Sequence, residues 1–130
     1  MAEGFLRHLD PTLDVQSAGT HPAFSVHPLA INVMKEKGID ISLAQPKDVY
    51  LFLGETFDFI ITVCDHARET CPVFAGRVKQ RLHIGFDDPV MAYGTEEHIL
   101  GEFRRVRDEI ERAFRDFHSR YISTQQSNTR

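Results

Sequence analysis

Both cysteines of the chain lie in one stretch, Ile60-Ile61-Thr62-Val63-Cys64-Asp65-His66-Ala67-Arg68-Glu69-Thr70-Cys71-Pro72. The apolar, β-branched run from Phe59 to Val63 reads as a buried strand. Cys64 stands where that strand ends, and in open α/β sheets chemistry collects in the crevice at the carboxyl ends of strands. Cys71 follows seven residues later. On a continuous helix, seven residues separate two Cα atoms by about 10.5 Å, whereas a disulfide requires roughly 4.4–6.8 Å. A bridge between Cys64 and Cys71 therefore requires the intervening segment to bend or unwind.

On the N-terminal side, residues 1–9 carry Phe5, Leu6 and Leu9 on one stripe and read as a short helix stopped by Asp10-Pro11. Leu13-Asp14-Val15-Gln16-Ser17 is an expected strand, and residues 20–28 are a loop rich in His and Pro. Pro28 suits the first turn of a helix with Leu29, Ala30, Val33 and Met34 on its inner face. Gly38 fits the position past its last turn. Residues 47–53 are expected to form a short helix. On the C-terminal side, Gln80-Arg81-Leu82-His83-Ile84 is a second strand, and Gly85-Phe86-Asp87-Asp88-Pro89 is the loop at its carboxyl end.

Residues 96–118 give the clearest periodicity. Ile99, Phe103, Val106, Ile110, Phe114 and Phe117 recur every three or four residues, the core stripe of a helix. Asp108–Arg112, Glu111–Arg115 and Asp116–Arg120 are i,i+4 pairs, each contributing about 0.2–0.5 kcal/mol, and the arginines read as a solvated face. Residues 119–130 are expected to be a flexible tail. The order of elements predicts an α/β fold, a parallel sheet flanked by helices, in a single domain over residues 1–118.

The totals narrow the function. A net charge of −4 argues against a nucleic acid or an anionic membrane surface as partner. No apolar run approaches about 18 residues, so no membrane-spanning helix is expected. Met-Ala-Glu-Gly-Phe-Leu-Arg does not read as a signal peptide, and a cytoplasmic protein is expected. Thiols are kept reduced there, so the two cysteines point to catalysis, redox exchange or metal binding rather than a structural staple. A metal reading would combine Cys64, His66 and Cys71 with His21, His27 or His83, but Cys-x-His-x4-Cys fits no common zinc signature.

The segments Met1-Ala2-Glu3-Gly4-Phe5, Ser17-Ala18-Gly19, Pro28-Leu29-Ala30-Ile31, Gly38-Ile39-Asp40-Ile41-Ser42, Val63-Cys64-Asp65 with Cys71-Pro72, Gly85-Phe86-Asp87-Asp88-Pro89, and Phe103-Arg104-Arg105-Val106-Arg107-Asp108-Glu109-Ile110 form one set. Together they resemble the thioredoxin-coupled arsenate reductases, which share the low-molecular-weight tyrosine phosphatase fold. They stand in the family's order, and Val90-Met91 after the Asp-Pro pair favours the reductase branch over plain phosphatases. In that family, the residues ahead of Met-Ala-Glu-Gly supply an inner first strand and a Cys-x5-Arg phosphate loop. The loop carries the nucleophilic cysteine, a cradle of backbone N–H groups and a clamping arginine. Neither strand nor loop is found here, so the chain is expected to be inactive by itself. The bare spacing Cys71 to Arg77 does match, but Pro72 removes a donor the cradle needs. The absent strand would lie between 13–17 and 58–63. The sheet could then re-pair, two chains could join exposed edges into a homodimer, or the natural protein could be longer.

The resemblance implies roles. Cys64 attacks the arsenic-bound cysteine of the phosphate loop, Cys71 resolves the resulting disulfide, and thioredoxin reduces the Cys64–Cys71 bridge. Asp88 matches the family's general acid, whose other reading is a turn aspartate before proline. Glu3 and Ser17 match positions that bind a structural potassium ion in some members, with Gln45 where those members carry Thr or Ser. Arsenate or a phosphate-like oxyanion is the implied substrate. The competing readings are a non-catalytic thiol switch or interaction module of the same fold, and a phosphatase-like hydrolase.

Overall fold

The computed structural model describes residues 1–20 and 25–123. Their contacts divide into two compact units, Met1–Gln16 with His27–Leu43 and Pro89–Arg130, and Ser17–Val26 with Ala44–Asp88.

The first unit is helical. Helix α1 (Ala2–Leu9) and helix α2 (Pro28–Lys35) both pack on helix α4 (Glu96–Phe117). Helices α2 and α4 start where the sequence supplies a cap, while α1 has no side-chain cap at Met1. The His27 side chain accepts the Leu29 N–H at 3.1 Å, with Pro28 in the first turn, and Thr95 Oγ1 accepts the His98 N–H at 3.1 Å. Gly38 leaves the α2 end with φ +76°, a conformation glycine adopts without penalty. The buried core is Phe5, Leu6, Ala30, Val33, Met34, Ile39 and Ile41 against Phe103, Val106, Ile110, Phe114 and Phe117. Burying one such side chain contributes roughly 1.5–3 kcal/mol.

One arginine departs from the expected solvated face. Arg107 is buried, and its guanidinium donates to the Val33 carbonyl at 2.9 Å, to Glu36 Oε1 at 2.7 Å and to Asp108 Oδ1 at 2.9 Å. Glu36 also receives Arg104 through both carboxylate oxygens, at 3.0 and 2.6 Å. The Arg104 hydrogen bonds, followed by those of Arg107, lower the Glu36 pKa to about 2. Asp108 is drawn to Arg107 and to Lys37, while Glu111–Arg115 and Asp116–Arg120 form as i,i+4 pairs at 3.5 and 3.0 Å.

Two expectations for this unit change. The strand expected at 13–17 does not form: the Val15 carbonyl accepts from Arg7 Nε at 3.1 Å, so a side chain takes a bond a neighbouring strand would have made. Helix α4 runs on into a π-helical turn, His118–Ser123. Tyr121 stacks on Phe117 with centroids 5.4 Å apart, and His118 Nε2 meets Asp10 Oδ2 at 2.8 Å. The remainder of the expected tail, 124–130, lies outside the described residues, as do residues 21–24 of the loop with His21.

The second unit carries a parallel two-stranded sheet, β1 (Phe57–Thr62) with β2 (Val78–His83), in register from Phe57↔Val78 to Thr62↔His83. Strand β1 is half-buried rather than buried, with Asp58 exposed. In a two-stranded sheet each strand has only one neighbour, so less of its surface is covered. The short helix expected at 47–53 is a 3₁₀ turn, Val49–Phe52, capped by Asp48 accepting the Tyr50 N–H at 2.9 Å. A parallel bridge joins Gly19 to Asp48. Phe57 packs edge-on against both Phe52 and Phe74, at 6.3 and 5.8 Å between centroids.

Candidate active site at the carboxyl end of β1

Strand β1 ends at Thr62, and Cys64 opens helix α3 (Asp65–Thr70). Cys64 keeps extended backbone, φ −140° and ψ 157°, and its Sγ accepts the Ala67 N–H at 3.4 Å, so the thiol itself caps the helix. Cys71 closes the helix, its N–H donating to the Ala67 carbonyl at 2.9 Å. Both thiols are free and half-buried. The two cysteines are therefore the two caps of one six-residue helix. They cannot meet while its hydrogen bonds persist, because the helical rise holds them about 10.5 Å apart. Arg68, on α3, is exposed; the His66 side chain lies outside the described residues.

The loop after β2 is tied to the same place. Ile84 N–H donates to the Thr62 carbonyl and Phe86 N–H to the Val63 carbonyl, both at 2.9 Å. Asp88, two residues beyond Phe86, is exposed. Thus Cys64 and the Asp88 loop are built on the carboxyl ends of the two strands, with Cys71 at the other end of α3. Sequence reasoning missed a fourth feature there. Thr62 Oγ1 and His83 Nδ1, on register partners, lie 2.7 Å apart. Nothing in the sequence marks that pair, because the pairing of residues 21 apart follows from strand register alone.

The segment from Cys71 to Arg77 does not cradle an anion. The N–H groups of Ala75 and Gly76 both point at the Leu53 carbonyl, at 2.7 and 3.3 Å, and the Arg77 carbonyl accepts the Phe57 N–H at 2.9 Å. A cradle would need those donors free. Glu3 pairs with Arg7 at 3.3 Å on α1, and Ser17 is an exposed residue of the other unit. Among the described residues, no group of three or more His, Cys, Asp or Glu is placed to hold a metal ion. No described helix is long and apolar enough to cross a membrane.

A parallel β1–α3–β2 unit with a cysteine at the strand end is a pattern with known relatives. The family described as low molecular weight phosphotyrosine protein phosphatase matches residues 1–128. The chain belongs to that family.

Within the low molecular weight phosphotyrosine protein phosphatase family, the chain is similar to proteins named arsenate reductase. That of Halalkalibacterium halodurans is 43% identical over 118 residues, 90% of this chain and 84% of the relative. That of Bacillus subtilis is 41% identical over the same shares. Arsenate reductase 2 of Staphylococcus haemolyticus is 38% identical over 92% of this chain and 86% of its own length. Among solved structures, an arsenate reductase in the oxidized state superposes with a TM-score of 0.71 at 28% identity, covering 86% of this chain and 80% of the other. One in the reduced state gives 0.65 at 27% identity, covering 89% and 83%.

Proposed function

We propose that this chain carries the thiol relay of an arsenate reductase regenerated by thioredoxin. The observation that carries the reading is the placement of its only two cysteines, both free, at the two ends of α3. The similarity to arsenate reductases supports it.

In this reading arsenate is held as a thioester-like adduct on a nucleophilic cysteine of a Cys-x5-Arg loop. Asp88 donates the proton with which the displaced arsenate oxygen leaves as water. The Cys64 thiolate attacks that cysteine's sulfur. The sulfur–arsenic bond breaks, its electron pair stays on arsenic, and arsenic(V) leaves as arsenite. Cys71 then attacks Cys64 Sγ and releases the first cysteine as a thiolate. Two thiols are oxidised and arsenic gains two electrons. The dithiol of thioredoxin restores Cys64 and Cys71. Each attack needs an accessible sulfur, and helix α3 must open between the second and third steps.

The 130 residues hold no third cysteine, so in this reading arsenate turnover requires the Cys-x5-Arg loop to be supplied. The test joins a strand and Cys-x5-Arg loop from an arsenate reductase ahead of Met1 and follows arsenate-dependent NADPH oxidation with thioredoxin and its reductase. Turnover that disappears in Cys64→Ser and in Cys71→Ser supports the reading. A folded joined chain with no arsenate-dependent oxidation overturns it in favour of a non-catalytic thiol module. Hydrolysis of p-nitrophenyl phosphate indifferent to both substitutions overturns it in favour of a hydrolase.

A further inference from the structure

The end of the β1–β2 ladder is irregular at the point where the chain leaves for Cys64. In a regular parallel pair, only alternate carbonyls of a strand face a given neighbour. Here the consecutive carbonyls of Thr62 and Val63 both accept from the β2 side, from Ile84 and Phe86, and Gly85 is passed over. The backbone therefore turns between Thr62 and Cys64. A side-chain bond crosses that last register pair: Thr62 Oγ1 and His83 Nδ1 lie 2.7 Å apart, both residues half-buried. The same hydroxyl lies 3.5 Å from the Leu82 carbonyl, which leaves it able to accept from an Nδ1–H of the ring.

We propose that Thr62 and His83 are a positioning pair for Cys64. The ring-to-hydroxyl bond fixes where β1 leaves the sheet, and through the two carbonyls it fixes both the Cys64 thiol and the loop that ends in Asp88. The bond sits two residues before Cys64 and one before Ile84, so its loss frees both departures from the sheet together. This rests on Cys64 being an attacking thiol. Its test reads the reactivity of that sulfur rather than arsenate turnover, so the failure of one is distinguishable from the failure of the other.

The experiment alkylates the reduced 130-residue chain with iodoacetamide and follows the Cys64 and Cys71 peptides separately by mass spectrometry, with Cys71 as internal reference. Thr62→Val and His83→Leu each raise the Cys64 rate relative to Cys71 by about three- to ten-fold, the range expected when one hydrogen bond holding a half-buried group is lost. Thr62→Ser and His83→Asn, which keep a polar atom in place, restore the wild-type ratio. The double variant adds nothing to either single change, because both remove the same bond. A ratio unmoved in Thr62→Val overturns the inference. So does failure of Thr62→Ser to restore it, or a parallel rise at Cys71, each of which marks general loosening. If His83→Leu does not fold, the comparison of Thr62→Val with Thr62→Ser carries the test.

Discussion

Phe86 donates its backbone N–H to the Val63 carbonyl at 2.9 Å, which anchors the loop ending in Asp88 to the residue directly before Cys64. The proposed acid and the proposed attacking thiol therefore share one support, although they are 24 residues apart in sequence. If Asp88 serves as the acid, Asp88→Asn in the chain joined to a Cys-x5-Arg loop lowers arsenate turnover by about 10²–10⁴-fold. The alkylation rates of Cys64 and Cys71 stay at wild-type values. Turnover within a few-fold of wild type would return Asp88 to the role of a turn residue.

Oxidation of Cys64 and Cys71 to a disulfide has a backbone consequence. The Cα atoms must close from about 10.5 Å to roughly 4.4–6.8 Å, so α3 must unwind. Arg68 N–H donates to the Cys64 carbonyl and Cys71 N–H to the Ala67 carbonyl in the reduced chain, at 3.1 and 2.9 Å. Amide exchange at Arg68 and Cys71 is predicted to accelerate on oxidation, with β1 and α4 unchanged. Equal protection in both redox states would contradict the geometry.

Much of this was legible in the sequence where a physical pattern repeats. The α4 stripe gave six core positions, of which Phe103, Val106, Ile110, Phe114 and Phe117 are buried. Pro28 and Gly38 marked the bounds of α2 because each suits one end of a helix. Cys64 at a strand end was also readable, since it follows from the apolar run before it. What was not readable depends on distant partners. Residues 13–16 alternate like a strand, but a strand needs a ladder, and here Arg7 meets the Val15 carbonyl. Arg107 looks like its exposed neighbours Arg104 and Arg105 until α2 supplies Glu36 and the Val33 carbonyl. The Thr62–His83 bond needs the strand register.

The cluster around Glu36 predicts a pH dependence. An unfolded glutamate titrates near about 4.3, and in the folded chain Arg104 first, then Arg107, hold Glu36 at about 2. A lowered folded pKa contributes stability that is fully present above the unfolded value and is lost as pH falls from there through the folded one. Urea midpoints should therefore fall between pH 4.5 and 2, and Glu36→Gln should fall less steeply across that window. Parallel curves for the two proteins would contradict the assignment.

Gly76 is required by close approach rather than by backbone angle. A Cβ there would fall on the Glu55 carbonyl oxygen and lie 3.1 Å from Thr56 N, both backbone atoms. The main chain would have to shift, and Gly76→Ala is predicted to destabilise the chain by about 1–3 kcal/mol. The shift would also disturb the bonds from Ala75 and Gly76 to the Leu53 carbonyl, ahead of β2. Urea unfolding measures it, and a change below about 0.5 kcal/mol, the scale of an ordinary surface substitution, would contradict the packing described.

Cys64 and Cys71 are proposed as partners in one redox cycle. The most direct measurement oxidises the reduced chain with diamide, maps its disulfides by peptide mass spectrometry, and then adds a catalytic amount of thioredoxin with its reductase and NADPH. The expected result is a single intramolecular Cys64–Cys71 bridge that thioredoxin reduces, with one NADPH consumed per chain. Thiols that stay free, bridges only between chains, or a Cys64–Cys71 bridge that thioredoxin leaves intact would contradict it.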